Sequence, residues 1–309
     1  MEKRKVFIGV DLGGTKIMTG AIDVTGKILT EPVKIQTGAH EEAEQILKRI
    51  YRSIDHTISR LNLSNDEISG IGIGSTGPLD INKGMILDCP QLPSLQYFNI
   101  KENIENRYHI PVALNNDANS LILAENLFGI AKNHKNVVGF TLGTGIGCAL
   151  VFNEKIFNGA TGTAGEIWAS PYLGKTIENF VSGQGVSDMY YKLSGNKRNA
   201  KDIYQLAQKG DNKALQTWDE FGKHLSIAIS WTINLIDPEI VVLGGSIAHA
   251  EIFFRKSLEK HLRKQICSLP ADTVKIKVAK LGDYAGFIGA ASLILQQIDH
   301  KIDIKTSVS

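Results

Sequence analysis

An α/β protein of two similar domains is the fold class this chain predicts, and three observations predict it. The first is an internal echo. Strand, glycine turn, strand occurs at Asp11–Lys16 and again at Thr141–Gly147. The second is where glycine falls: there are 30 in 309 residues, many directly after apolar runs, as when α/β strands end in ligand-binding turns. The third is bulk composition. With 43% hydrophobic and 21% charged residues over 309 positions, the profile is globular with room for two domains. Two copies of one strand–turn–strand unit, facing each other, are expected to offer a phosphate loop each to one ligand in a cleft between them.

Val6–Val10 reads as the first strand, followed by Asp11-Leu-Gly-Gly-Thr-Lys16 and a second apolar run, Ile17–Ile22. Gly13 and Gly14 let backbone N–H groups approach a phosphate, and Thr15 and Lys16 can add contacts. The spacing is not that of a Walker A loop, and a strand rather than a helix follows. Asp11 can hold Mg²⁺ through water. A plain hairpin turn accounts for the same residues equally well. Asp23-Val-Thr-Gly26 then turns the chain into a third strand, Lys27–Thr30.

Glu41–Leu61 has helical spacing, with Ile46, Ile50, Ile54 and Ile58 on one face. From Ile68 isoleucine alternates with glycine, which allows close packing, and Ser75-Thr-Gly-Pro78 ends the strand in a turn. Met85–Leu95, with Pro90 and Pro93, reads as a loop able to cover a ligand. Val112–Asn119 is a short apolar strand that ends in small polar residues, and a helical pattern starts at Ser120. Asp117 at that junction can accept a hydroxyl proton. It also suits a helix cap, the reading the stretch alone favours.

Asn136–Leu142 is a strand leading into Gly143-Thr144-Gly145-Ile-Gly147, and Cys148–Phe152 is a strand again. Gly159–Glu166 is a flexible loop ending in a carboxylate, and Thr176–Gly183 brings a second, Glu178. Both can orient sugar hydroxyls, and both can equally be surface acids. Ala200–Gln208 and Lys213–Ile236 read as helices, the second stopped at Asp237-Pro238 and carrying Trp218 and Trp231 as core residues. Ile240–Leu243 enters a third glycine turn, Gly244-Gly245-Ser246, able to lie against a nucleobase or ribose. A helix around Phe253–Ile266, a strand over Val274–Leu281 and a last helix opened by Gly282 follow. The tail from His300 to Ser309 is expected to fray.

Lys+Arg 34 against Asp+Glu 32 gives a net charge of +2, so no basic excess points to nucleic acid. No apolar run reaches the ~18–20 residues of a membrane span, and no signal-peptide pattern is present, so a cytoplasmic location is expected. Cys89, Cys148 and Cys267 are far apart and odd in number, against a disulfide framework or a local zinc knuckle.

In order and spacing, Asp11–Lys16, Gly72-Ile-Gly-Ser-Thr-Gly-Pro78, Asn115-Asn-Asp-Ala-Asn119, Leu142–Gly147, Gly162-Thr-Ala-Gly-Glu166, Leu243–Ser246 and Ala285–Ala290 resemble the ROK family (repressors, open reading frames and sugar kinases) of the actin-like ATPase superfamily. The resemblance runs from about Val6 to Ala291. It implies a two-domain actin-like ATPase (ribonuclease-H-like) fold with the ligand cleft between domains. The smaller domain would span 1–120 with a C-terminal helix at about 293–309, and the larger 121–292. It implies ATP-dependent phosphorylation of a hexose at the 6-hydroxyl. Glucose ranks first, N-acetylmannosamine second, and a non-catalytic sugar sensor is the alternative of another class. Asp117 would be the base. Asn116, Gly77, Glu166 and Glu178 would bind sugar. Gly13, Gly14, Thr15, Lys16, Gly143, Thr144 and Gly145 would hold phosphates, Gly244 and Gly245 adenosine, and Asp11 Mg²⁺ through water. A homodimer is the expected assembly, and polyphosphate stays open as an alternative donor to ATP.

The chain departs from the family at three places. Many members carry a Cys-rich zinc motif with a His just after the Glu166 position; here Ala169 stands there, no cysteine lies between Cys148 and Cys267, and no zinc is expected. Leu95 stands where relatives often have Trp. Repressor members carry a helix-turn-helix ahead of the first strand, and this chain opens on that strand, so DNA is not an expected partner.

Overall fold

The computed structural model describes residues 5–63 and 67–306. It divides into two compact units: Met1–Asn133, Glu154–Ala164 and Lys280–Ser309 in the first, His134–Asn153 and Gly165–Ala279 in the second. Elements are numbered along the chain.

The first unit holds β1 (Val6–Leu12), β2 (Lys16–Ile22), β3 (Val33–Gln36), α1 (Ala43–Leu61), β4 (Ile68–Ser75), β5 (Leu79–Asp80), β6 (Met85–Ile86), α2 (Ile100–Tyr108), β7 (Val112–Asn116) and α3 (Asp117–Leu127), then the later β10 (Lys155–Ile156) and α9 (Ala285–Thr306). Its sheet has the order β3-β2-β1-β4-β7. β1 and β2 are an antiparallel hairpin, and β4 and β7 run parallel to β1. Side chains alternate across a strand, so each strand feeds two cores. Ile8, Val10, Ile71 and Ile73 pack with Ile46, Ile50 and Ile54 of α1. Phe7, Met18 and Ala113 pack with Leu123 of α3 and with Phe287 and Ala291 of α9. The glycines that alternate with isoleucine in β4 lie on the α9 side. A side chain on Gly72 would collide with the Ala290 carbonyl, so the helix backbone lies directly on the strand.

The second unit holds β8 (Asn136–Leu142), β9 (Ile146–Phe152), β11 (Pro171–Tyr172), β12 (Lys175–Thr176), α4 (Gly183–Ser194), α5 (Ala200–Gln208), α6 (Asn212–Ile236), β13 (Ile240–Gly244), α7 (Glu251–Leu262), α8 (Ser268–Thr273) and β14 (Lys275–Val278). Its own strands pair in the order β9-β8-β13-β14, with β8 and β9 an antiparallel hairpin and β13 and β14 parallel to β8. This is the order β2-β1-β4-β7 of the first unit, so the echo in the sequence is an echo in topology. Trp218, Phe221 and Phe254 are fully buried, with ring centroids 5.6 and 5.2 Å apart along the series. Trp231 is only half-buried, 6.2 Å from the Tyr172 ring.

Several expectations are corrected. Lys27–Thr30 is not a strand. Asp23 Oδ1 accepts from Thr25 N, Thr25 Oγ1 and Lys27 N, which tightens the turn; only an Ile22–Ile28 bridge forms, and the third strand waits until Val33. The loop over Met85–Leu95 is anchored by Leu92 and Leu95, both fully buried, which leaves its expected role over a ligand open. α4 carried no sequence signal because two glycines occupy its first turn; Ser182 caps it by accepting from Gly185 N at 3.1 Å. α9 continues past His300 to Thr306, and residues 307–309 lie outside the described ones. The unit boundary falls after Asn133 rather than at 120, and all of 280–309 joins the first unit, because α3 packs along α9. Among the described residues, no helix is long and apolar enough to cross a membrane.

Candidate active site

In the first unit the strand-to-helix junction sets the geometry. Asn116 takes the N-cap position of α3, with its side chain accepting from Ala118 N at 2.8 Å. Asp117 is therefore the first helical residue and half-buried. Its Oδ1 also accepts from Ala118 N, at 2.7 Å, and Thr76 Oγ1 donates to its Oδ2 at 3.4 Å. A carboxylate here gains from the positive end of the helix. Gly77 brings the turn after β4 against Asn116: a side chain there would stand 3.2 Å from Asn116 Nδ2. The structure thus groups Thr76, Gly77, Asn116 and Asp117.

A second layer, not foreseen from sequence, braces this group. Buried Asn115 accepts through Oδ1 from Asn116 N and from Asn119 Nδ2, both at 2.8 Å, and donates through Nδ2 to Asn158 Oδ1 at 3.0 Å. The signal available was the run of amides in Asn115–Asn119, but its partner lies 43 residues away. Buried Cys89 donates to the Thr76 carbonyl at 3.7 Å, and burial pushes its thiol pKa up.

The β1–β2 turn is held by Gly13 N donating to Lys16 O at 3.0 Å, and Thr37 bonds the carbonyls of Gly13 and Thr15. Gly14 lies on the Gln91 backbone, 2.6 Å from where a Cβ would be. Thr15 is exposed and Lys16 half-buried. The Asp11 carboxylate lies over Gly286 in the first turn of α9, and a Cβ there would come 2.5 Å from Asp11 Oδ2. Burial raises the Asp11 pKa, and the Lys16 charge partly offsets that. One carboxylate beside a glycine turn suits Mg²⁺, which keeps most of its waters and takes phosphate oxygens besides. Among the described residues no three or more His, Cys, Asp and Glu side chains are grouped to hold a metal, and Glu166–Glu178 contains neither Cys nor His.

In the second unit two glycine turns meet. Gly143 N donates to Gly145 O at 3.0 Å, and Gly143 O accepts from Gly183 N at 2.8 Å. Gly245, at φ 83°, lies so close to Leu142 that only glycine fits. Gly143 faces Ser246 Oγ, and Thr144 is exposed. So Gly143–Gly145 and Gly244–Gly245 form one surface. Glu178 belongs to it, because its Oε2 accepts from Ile146 N at 3.1 Å and presses on Gly145. Glu166 does not. It is exposed, accepts from Trp168 Nε1, and lies near enough to Cys148 that its charge, added to burial, pushes that thiol pKa up to about 12.

The model of the ROK family matches residues 7–297. The chain is 31% identical over 324 residues to the glucokinase of Thermotoga maritima, covering 96% of this chain and 99% of that one. It is 29% identical over 315 residues to the N-acetyl-D-glucosamine kinase of Photobacterium profundum, covering 94% and 100%. The crystal structure of the ROK hexokinase from Thermus thermophilus superposes with a TM-score of 0.84 at 27% identity, covering 96% of this chain and 99% of that one.

Proposed function

The chain belongs to the ROK family, and on that premise we propose that it transfers the γ-phosphoryl group of ATP to the 6-hydroxyl of a hexose, glucose before others. It is a sugar kinase with the actin-like ATPase fold, like its relatives. The observation that carries the finer reading is Asp117, a half-buried carboxylate set at a strand–helix junction with partners on both oxygens. As the O–P bond forms, Asp117 accepts the hydroxyl proton, and the helix end favours the carboxylate beforehand. Asn116 and Gly77 face the sugar. The backbone of Gly13–Lys16 and of Gly143–Gly145 holds phosphate oxygens, and Gly244 and Gly245 the adenosine. Asp11 would hold Mg²⁺ through water; when bound, the ion neutralises charge on the phosphate oxygens. Most of the acceleration is positioning and electrostatics, since this transfer asks little covalent help of the protein. NMR of the product formed from ATP, Mg²⁺ and glucose tests the regiochemistry. A phosphorus coupled to the C6 protons is expected; coupling to any other carbon's proton contradicts the proposal.

N-acetylmannosamine is the second reading. It is favoured by Ala169, a small residue where zinc-bearing relatives have His, and by relatives named as N-acetylglucosamine kinases. We also propose that no zinc takes part.

Two predictions follow from the site. Asp11→Asn is expected to lose most Mg²⁺-dependent activity yet melt higher at neutral pH. The folded pKa of Asp11 lies above 3.8, so folding is favoured while it is protonated, and that stability is lost as pH rises through the folded value. Thermal melts from pH 3 upward should show the variant gaining on the wild type over that window; a lower melting temperature at neutral pH contradicts the assignment. Glu178→Ala is expected to raise KM for ATP by about tenfold as well as KM for sugar, because Ile146 N loses its acceptor and the phosphate turn loosens. Glu178→Gln keeps an acceptor and should hold ATP KM near wild type. A purely sugar-side effect of Glu178→Ala would separate Glu178 from the turn.

A further inference from the structure

Helix α1 carries Lys48, Arg52 and His56 at successive four-residue steps, so all three project from one face. α2 adds Arg107. With Tyr51 and Asp55 these residues line an open cavity of about 400 Å³ on the first unit. Asp55 is its sole acid, and both carboxylate oxygens are engaged: Oδ2 by Arg107 Nη2 and Oδ1 by the Tyr108 hydroxyl, each at 2.7 Å. Arg107 is fixed further by the Tyr51 ring, whose centroid lies 4.6 Å from its Cζ. Among the described residues, the side chains of Lys48, Arg52 and His56 have no hydrogen-bond or ion-pair partner. Like charges four apart on a helix repel; Glu44, one step before Lys48, lies outside the cavity lining, and the acid inside it, Asp55, is already spent on Arg107.

We propose that this cavity is a binding site for a small phosphate-bearing anion, separate from the residues assigned to phosphoryl transfer. Arg52 supplies a planar fork for two phosphate oxygens, Lys48 a point charge, and Arg107 a pre-positioned guanidinium at the rim. Nothing in this assignment depends on the kinase reading, since none of the six residues belongs to the candidate active site.

Calorimetric titration of the full chain tests it, with inorganic pyrophosphate in one arm and glucose 6-phosphate in the other. A saturating non-hydrolysable ATP analogue, Mg²⁺ and glucose occupy the catalytic residues first. The expected result is a residual binding event for at least one of the two anions. Lys48→Ala/Arg52→Ala should weaken it at least tenfold, and the charge-matched Lys209→Ala/Lys213→Ala in the second unit should leave it unchanged. Melting curves confirm that both variants fold. The arm with the tighter constant identifies the source of the phosphate. Absence of residual binding in both arms, undiminished binding by Lys48→Ala/Arg52→Ala, or equal loss in both double variants overturns the proposal.

Discussion

Asp117→Asn is expected to lower kcat by about 10³-fold while sugar affinity stays within about threefold of wild type. The amide is the same shape. Its oxygen still accepts the Ala118 N–H that Asp117 Oδ1 now takes at 2.7 Å, so the junction keeps its geometry. What is lost is the capacity to take a proton in the transition state, and the negative charge that the start of α3 favours. Binding by calorimetry and turnover by ADP release separate the two. A kcat within tenfold of wild type would remove Asp117 as the proton acceptor. A collapse of sugar affinity without a fall in kcat would make it a binding residue only. Thr76 offers an internal control. Its hydroxyl reaches Asp117 Oδ2 at 3.4 Å, a long contact, so Thr76→Val should cost far less turnover than Asp117→Asn.

The second large effect lies away from the chemistry. Glu125 in α3 is fully buried, yet both of its oxygens are satisfied by main chain. Oε1 accepts from Lys280 N and Leu281 N, each at 2.7 Å, and Oε2 from Ile130 N at 2.8 Å. This one carboxylate ties the end of α3 to the segment that enters α9, across 155 residues of sequence. Glu125→Ala leaves three N–H donors without it and opens a void. At about 1–3 kcal/mol for each unsatisfied buried group, with incomplete additivity, a loss of about 4 kcal/mol is expected. For a chain of this size that is a fall in Tm of about 10 °C. Glu125→Gln keeps one carbonyl acceptor and should lose about half as much. A Tm within about 3 °C of wild type for Glu125→Ala would show that water replaces the carboxylate, and that the α3–α9 tie is not a main support of the fold.

These two residues mark what sequence conveys and what it withholds. The strand–helix junction at Asp117 was legible because it is local: an apolar strand, a polar end and a helical pattern are adjacent in the chain. The glycine turns at 13–16, 143–147 and 244–246 were legible for the same reason, and their recurrence foretold two sheets of one topology. Glu125 was not legible, because an acid inside an apolar helical stretch acquires its meaning only from Lys280 and Leu281. Asn115 and Asn158 were hidden likewise. Position in a motif suggested Glu178 as a sugar ligand but could not show that its carboxylate also accepts from Ile146 N beside Gly145, a contact set by how the 177–179 turn lies on the β8–β9 hairpin. The resemblance already placed the C-terminal helix with the first unit; the boundary moved past 120 because α3 packs along that helix, a pairing that no local pattern records.

We propose that this chain turns over a hexose, with glucose preferred. The direct measurement is ADP release with ATP and Mg²⁺ against glucose, mannose, fructose, N-acetylglucosamine and N-acetylmannosamine, compared as kcat/KM. Turnover with glucose at least tenfold ahead of the other four is expected. A lead for N-acetylmannosamine or N-acetylglucosamine would contradict the choice of glucose and assign the segment around Ala169 to an acetamido group. Sugar binding without ADP release from any of the five would contradict the kinase itself and leave a sugar sensor.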